Sequence, residues 1–110
     1  MSTIDNTEIL LVMTTITDAD KGKTLARQII NEQLAACCNI VPTVTSIYRW
    51  QNELCEEQEC LLVIKTTQQR FNQLSEFIKT QHPYETPEII ALPITAGSQE
   101  YLSWVMQATN

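Results

Sequence analysis

Three short apolar runs limit the folds open to this chain more than any other feature. Ile9–Met13, Leu61–Ile64 and Ile89–Leu92 are apolar at every position, whereas a strand with one solvated face alternates apolar and polar residues. Successive strand side chains point to opposite faces, so each run places apolar groups on both faces of a sheet. We therefore expect an obligate homo-oligomer whose sheets cover one another. The alternative is that strand ends or a terminal helix cover the second face within one subunit.

The hydrophobic periodicity predicts the order strand, helix, strand, strand, helix, strand and terminal helix. Thr17 or Asp18, Thr67 and Ser98 are suitable N-caps for the three helices. This order predicts an α+β, ferredoxin-like βαββαβ sandwich with a long central hairpin, turning at Gln51-Asn52, and an extra C-terminal helix. The predicted strands are Glu8–Thr15, Ala36–Trp50, Leu54–Thr67 and Glu88–Ile94, and the predicted helices are Ala19–Leu34, Thr67 to about Thr80, and the residues after Ser98.

Size and charge exclude several classes of function. The 110 residues suit one domain, residues 1–110, and the net charge of -6 argues against nucleic acid as a partner. The 2 glycines are too few for a nucleotide-binding loop, so we expect no enzyme of that kind. Met1–Thr7 shows no secretory pattern and no apolar run reaches the ~20 residues of a membrane span. We expect a cytoplasmic protein with no membrane partner.

The four cysteines do not resemble a disulfide framework. Cys37 and Cys38 are adjacent and would point to opposite faces of a strand, and a domain of this length does not need disulfides. We expect reduced thiols, mostly buried as small hydrophobic groups, with Cys55 and Cys60 included. The alternative for the Cys37-Cys38 pair is a soft metal ion such as copper.

The segment Gln81–Ile94 holds the only histidine in the chain. His82 and Thr86 each precede a proline, which disfavours helix and stiffens the connection between the second helix and the last strand. His82 with Glu85 or Glu88 offers imidazole and carboxylate ligands for copper or zinc. A single histidine is too little for a tight site unless symmetry supplies copies, and the alternative is a hydrogen-bonded structural histidine.

The long hairpin carries two further candidate features. Lys65 and Arg49, near Tyr48, Trp50 and Tyr84, could line a small anionic pocket between subunits, or form only a packing cluster. The acidic run from Glu53 to Glu59 is interpreted as a solvated hairpin edge that charge protects against aggregation.

Five segments together resemble the CutA1 family of divalent-cation tolerance proteins. They are LAACCNIVP at 34–42, SIYRWQ at 46–51, VIKTT at 63–67, HPYETPEI at 82–89 and YLSWV at 101–105. The resemblance covers about Glu8 to Val105. It implies a ferredoxin-like subunit in a homotrimer similar to the PII signalling proteins, a role in tolerance to copper and other divalent cations, and no enzymatic activity.

The resemblance also implies site residues. Copper ligands in some bacterial members are a cysteine near the end of the first strand and two consecutive histidines before the proline. Thr14 and Gln81 occupy two of these positions here, so only His82 remains, with Glu85 as its predicted metal-binding neighbour. Binding of copper or another divalent cation is therefore expected to be weak or indirect.

An alternative function is a PII-like sensor or adaptor that binds a small anion at the subunit interface and engages a protein partner. The predicted ligand-pocket residues are Cys37, Tyr48, Trp50, Lys65, Tyr84 and Glu88. An acylphosphatase-type enzyme on the same fold has only fold likeness in its favour.

Overall fold

The structure is a computed structural model that describes residues 8–110, so the predictions made for Met1–Thr7 lie outside it. Its strands and helices follow the predicted order. The strands are β1 (Ile9–Ile16), β2 (Cys37–Trp50), β3 (Glu53–Thr67) and β4 (Ile90–Pro93), and the helices are α1 (Ala19–Asn31), α2 (Gln68–Gln81) and α3 (Gln99–Ala108).

The described residues form a mixed α+β fold around a four-stranded antiparallel sheet, as predicted. The strand order is β2-β3-β1-β4, and α1 and α2 pack side by side on one face. Apolar side chains from both helices and from alternate strand positions fill the layer between them. Its fully buried members include Val12, Ile29, Cys60, Leu62, Ile64, Leu74 and Ile78.

The second face of the sheet is covered at one end only. There Leu102 and Val105 of α3 pack against Ile9. The register places a strip of apolar side chains on the rest of this face, running across all four strands. This second-face strip is half-buried to exposed, and consists of Val41, Leu61, Val63, Leu11, Met13, Ile90 and Leu92. The terminal helix α3 therefore covers only part of the apolar second face that the strand pattern predicts.

A β-bulge at Pro42 changes which side chains of β2 share that face. Val41 pairs with Leu61 but Val44 pairs with Glu59, so β2 contains one residue more than β3 between these pairs. Proline is tolerated there because β2 is an edge strand. Since strand side chains alternate, odd-numbered residues of β2 point to the second face before the bulge, and even-numbered residues point to it beyond the bulge.

The outer half of the β2–β3 hairpin extends beyond the rest of the sheet as an arm, residues 44–59. It makes the described chain 53 Å long and only 25 Å wide, with a radius of gyration of 14.8 Å against the ~13 Å of a compact domain this size. The arm ends in the predicted tight turn, where Gln51 and Asn52 have φ of 50° and 67°. These left-handed values are those of a two-residue type I′ hairpin turn.

Two predicted element ends differ from the structure by more than one residue. α1 ends at Asn31 rather than Leu34, because Gln33 adopts a φ of 58° and reverses the chain. The amides of Gln33 and Leu34 donate to the carbonyls of Ile30 and Ile29, which is the Schellman pattern of helix termination without its usual glycine. β4 begins at Ile90 rather than Glu88, since pairing with β1 stops at Met13.

The N-cap residues of the three helices are among those predicted from the sequence. The side chains of Asp18, Thr67 and Ser98 accept hydrogen bonds from the backbone amides of Lys21, Arg70 and Tyr101. Each cap satisfies one of the free N–H groups at a helix start. The choice between Thr17 and Asp18 for α1 is resolved in favour of Asp18.

Two fully buried threonines differ in their hydrogen bonding, and the same substitution at each is expected to have opposite effects on stability. Thr66 Oγ1 donates to the Leu34 carbonyl at 2.7 Å, whereas Thr14 Oγ1 has no hydrogen-bond partner among residues 8–110. Thr14→Val is expected to raise the free energy of unfolding by about 1 kcal/mol, because it removes an unsatisfied hydroxyl. Thr66→Val is expected to lower it by about 1–2 kcal/mol, because it leaves a buried carbonyl unpaired. Urea denaturation measures both, and equal effects of the same sign would contradict the assignment.

Candidate acidic and aromatic site

His82 anchors the segment that connects α2 to β4. It is the C-cap residue of α2 and only 8% exposed. Its Nε2 lies 2.6 Å from the carbonyl oxygen of Thr15, which is beyond the point where β4 stops pairing with β1. The histidine therefore provides the hydrogen bond that a longer β4 would otherwise have supplied.

The hydrogen bonds of His82 define its tautomer. A carbonyl oxygen only accepts, so Nε2 carries the proton and donates to Thr15. Nδ1 then accepts from the backbone amide of Tyr84 at 3.1 Å. Both ring nitrogens are thus engaged in a neutral imidazole, and the ring also contacts the Tyr84 ring with centroids 4.6 Å apart. These contacts join the segment that follows α2 to the end of β1.

A cavity of about 420 Å³ lies between this segment, the end of β1 and the hairpin arm. The bulge at Pro42 brings Tyr48 and Trp50 to the same face as alternate positions of β3, and both line the cavity. The connection after His82 forms the opposite wall. The lining residues are Thr15, Tyr48, Trp50, Glu57, Glu59, Tyr84, Glu85, Thr86 and Glu88.

Two tyrosine–glutamate hydrogen bonds organise the cavity wall. The Tyr84 hydroxyl donates to Glu59 Oε2 at 2.7 Å, and the Tyr48 hydroxyl donates to Glu57 Oε1. Burial and then the bond to Glu59 raise the pKa of Tyr84 to about 12. The bond to Glu57 is the main cause that raises the pKa of Tyr48. Both phenols therefore remain protonated hydrogen-bond donors at neutral pH.

The predicted site residues separate into two groups. The structure brings Tyr48, Trp50, Tyr84, Glu85 and Glu88 together in the cavity lining. The others lie elsewhere, with His82 behind Tyr84 and the pair of Cys37 and Lys65 at the far end of the β2–β3 ladder, where they are register partners.

The basic side chains proposed for the pocket are engaged away from it. Lys65 Nζ donates to Asn39 Oδ1 and approaches Cys37 Sγ at 4.0 Å. Arg49 Nη1 donates to the Asn52 carbonyl at 3.5 Å, on the arm face opposite to Tyr48 and Trp50. Among residues 8–110, no basic side chain contributes to the cavity lining.

Sequence reasoning missed Glu57 and Glu59 as cavity residues by assigning the acidic run to a solvated edge. A usable signal was present, because Glu57 and Glu59 are four and two residues before Leu61 and so share its face. Thr15 and Thr86 carried no comparable signal.

The predicted metal ligands, His82 and Glu85, belong to no larger group of metal-binding side chains among residues 8–110. No group of three or more histidine, cysteine, aspartate or glutamate residues within 8–110 is arranged to hold a metal ion. The cavity is instead suited to attracting positive charge over an extended volume, through separated carboxylates and aromatic rings.

The family model described as "CutA1 divalent ion tolerance protein" matches residues 10–108 of this chain. The chain belongs to the CutA1 family. A relative named divalent-cation tolerance protein CutA, from Thermus thermophilus, is 50% identical over 91% of this chain and 97% of its own length. The solved structure of divalent cation tolerance protein (Cut A1) from the same species superposes with a TM-score of 0.90 at 48% identity, covering 93% of this chain and 99% of that chain.

Members of the CutA1 family carry names that refer to different compartments. "Protein CutA, chloroplastic" of Arabidopsis thaliana is 44% identical over 92% of this chain, which spans 56% of that relative's length. The solved structure of a "Periplasmic divalent cation tolerance protein CutA" from Archaeoglobus fulgidus has a TM-score of 0.90 at 26% identity, covering 93% of this chain and 99% of that chain. The helices of residues 8–110 are all too short or too polar to cross a membrane.

The thiols of this CutA1-family chain are free among the described residues, including all four cysteines. Burial, with the neighbouring Cys37 as a second cause, raises the pKa of Cys38 to about 12. Burial also raises the pKa of Cys60. Because the thiolate is the metal ligand and nucleophile, neither Cys38 nor Cys60 is suited to either role at neutral pH.

Proposed function

We propose that this chain is a non-enzymatic divalent-cation tolerance protein that acts as a homotrimer of single-domain, ferredoxin-like, PII-like subunits. The observation that carries the proposal is the CutA1 family match over residues 10–108. The strand order β2-β3-β1-β4, with α1 and α2 on one face, supports the ferredoxin-like description.

Two exposed apolar surfaces support the oligomer. Ile90 and Leu92 of the second-face strip are each 47% exposed, although they lie on a sheet. The arm leaves Ile47 and Leu54 largely exposed on its other face. A two-stranded arm of this kind is marginally stable in isolation, so contact with neighbouring subunits gives it a packing partner.

Metal binding in this proposal is weak or indirect. We propose that His82 and Glu85 supply the direct contacts to copper or another divalent cation. Coordination by Nδ1 of His82 would break the hydrogen bond that this nitrogen accepts from the Tyr84 amide. Coordination by Nε2 would remove the proton from this nitrogen and break its hydrogen bond to the Thr15 carbonyl. Two ligands and one lost hydrogen bond favour low affinity.

We propose a cytoplasmic location, which the free cysteines support. The PII-like sensor of a small anion has no support from the cavity, because the described residues that line it include glutamates and no basic side chain.

Loss of the chain from its own cell is expected to lower tolerance to divalent cations. Growth of a deletion strain in raised Cu²⁺ and Zn²⁺ should fall below that of the parent, and expression of the intact chain should restore it. Raised K⁺ at equal charge is the control, because a monovalent salt should not distinguish the strains. Equal growth of both strains in every divalent salt would refute the proposal.

Direct binding is tested separately by titrating Cu²⁺ into the purified protein in a calorimeter. The Glu85→Gln variant removes the carboxylate of the proposed ligand pair, while Glu56→Gln removes an exposed carboxylate outside the cavity and the ligand pair. We expect weak heat for the unchanged protein and for Glu56→Gln, and less for Glu85→Gln. Identical heats in all three would exclude this pair as the contact.

A further inference from the structure

The second-face strip exposes too little apolar surface for the contact that the proposed trimer requires. None of its side chains is more than 47% exposed, and most are half-buried. A stable interface buries ~800 Å² on each partner, which is more than these partly covered side chains expose. The contact between copies must therefore extend onto adjoining surface.

Two aromatic side chains on α3 are exposed. Tyr101 is 43% exposed and Trp104 is 45% exposed, and their ring centroids are 5.6 Å apart. At these exposures the two rings add on the order of 200 Å² of mostly apolar surface. Tyrosine and tryptophan are enriched where proteins contact one another, and an exposed pair of them is typical of a contact surface.

The register places this aromatic pair next to the strip. Tyr101 lies beside Cys37, since burial raises the pKa of Tyr101 and the neighbouring Cys37 is the second cause. Cys37 is the register partner of Lys65, and Leu11 and Leu92 continue the same row across the sheet. Leu11 and Leu92 belong to the strip, so the aromatic pair and the strip form one continuous surface.

α3 is fixed in place, so the aromatic pair is presented in a defined position. Leu102 and Val105 are buried against Ile9. At the C-terminal end of α3, Nε of Arg70 donates to the Thr109 carbonyl at 2.7 Å. α3 has no basic residue in its last turn, so this guanidinium supplies the positive charge that the end of the helix dipole favours. A surface that is already ordered loses little conformational entropy when a partner covers it.

The occupant that fits this surface is a second copy of the chain. α3 contains no lysine or arginine, whereas a helix that binds an anionic membrane surface carries them on its polar face. The strip that adjoins the aromatic pair is the face that the proposed trimer covers. In a three-fold ring each contact joins two different surfaces, so the pair meets a part of the neighbour other than the neighbour's own pair.

We propose that Tyr101 and Trp104 are a contact surface for a second copy of this chain, continuous with the second-face strip. This contact presupposes the trimer and so rests on the proposed function, to which it adds α3 as part of the interface. Tryptophan and tyrosine are the residue types that most often contribute strongly to such contacts.

Replacement of both aromatic residues by glutamine tests the contact in the full chain. Glutamine is a good helix former, and Leu102 and Val105 remain to pack α3. In sedimentation velocity over a dilution series, we expect the Tyr101→Gln, Trp104→Gln protein to dissociate at a concentration about tenfold or more above that of the unchanged protein. Ile30→Gln is the matched control. It changes a partly exposed isoleucine in the helical layer on the other face and should leave dissociation as it was.

Fluorescence quenching provides a second test that keeps both aromatic residues of α3. The chain has 2 tryptophans, so Trp50→Phe leaves Trp104 as the only one. Acrylamide should quench Trp104 about twofold less, or weaker still, in this protein than in the same protein with lysine at Ile90 and Leu92. The lysines are expected to separate the copies and return the indole to its 45% exposure. This measurement decides the question if the glutamine variant fails to fold.

Two results would overturn this contact while the proposed trimer stands. One is dissociation of the double glutamine variant at the same concentration as the unchanged protein. The other is equal quenching of Trp104 with and without the two lysines. A folded single-chain particle for the unchanged protein would instead contradict the trimer itself, and this contact with it.

Discussion

Introducing lysine at both Ile90 and Leu92 is expected to convert the proposed trimer into single chains. The two side chains lie on the second-face strip and are each 47% exposed in one chain. In the proposed trimer they are covered by a neighbour, so the substitution would bury two ammonium groups without partners at every contact. Each would cost several kcal/mol, on the order of the penalty for a buried unpaired charge. Sedimentation velocity at micromolar concentration measures the outcome.

Ile30→Lys is the matched control for this experiment. Ile30 is a partly exposed isoleucine on α1, in the helical layer on the other face of the sheet. The same change of side chain there should leave the sedimentation coefficient as it was. A folded single-chain particle for the unchanged protein would contradict the oligomer itself. An intact oligomer after both substitutions would show that the second-face strip is not the contact.

His82→Ala is expected to lower the free energy of unfolding by about 2–4 kcal/mol. The change leaves the Thr15 carbonyl and the Tyr84 amide without their partners and removes a buried ring from Tyr84. Residues 83–88 should also lose protection from hydrogen exchange, because this histidine is what joins their segment to β1. Denaturant unfolding and amide exchange measure the two effects.

Two variants serve as controls for His82→Ala. Gln81→Ala changes the neighbouring exposed residue at the end of α2 and should alter stability by less than about 0.5 kcal/mol. His82→Gln retains an amide donor for Thr15 and should recover part of the loss. A His82→Ala protein as stable as Gln81→Ala would show that the histidine does not anchor this segment.

Local signals in the sequence were sufficient for most of the fold. Asp18, Thr67 and Ser98 act directly on the helix starts that they cap, and the Gln51-Asn52 turn has a two-residue geometry that fixes the pairing beside it. Element order and the single sheet follow from these signals and from periodicity. The mixed α+β class was therefore predictable without any tertiary contact.

The element ends and the coverage of the sheet that the sequence did not predict depend on features that no local sequence pattern indicates. Gln33 ends α1 in a conformation that usually selects glycine, so no local rule marks it. The start of β4 depends on His82 taking the place of a strand partner at Thr15, which is a contact between residues 67 positions apart in the sequence. The apolar runs were recognised in the sequence, but how much of the second face of the sheet is covered depends on where α3 lies.

The candidate site was only partly predictable for the same reason. Tyr48, Trp50, Tyr84, Glu85 and Glu88 were selected as chemistry-bearing residues and do line one cavity. The basic partner assigned to them, Lys65, was placed by strand adjacency alone, and the register puts it at the other end of the ladder. Adjacency of strands says nothing about position along them until the register is known.

The bulge at Pro42 has a consequence for how this surface can evolve. Loss of one codon at Thr43 would remove the extra residue while Val44 stays opposite Glu59, so Tyr48 and Trp50 would remain on the face of the glutamates. The bulge can therefore absorb a change in the length of this edge strand. Related proteins could differ by one residue here and still keep the same side chains in the cavity wall.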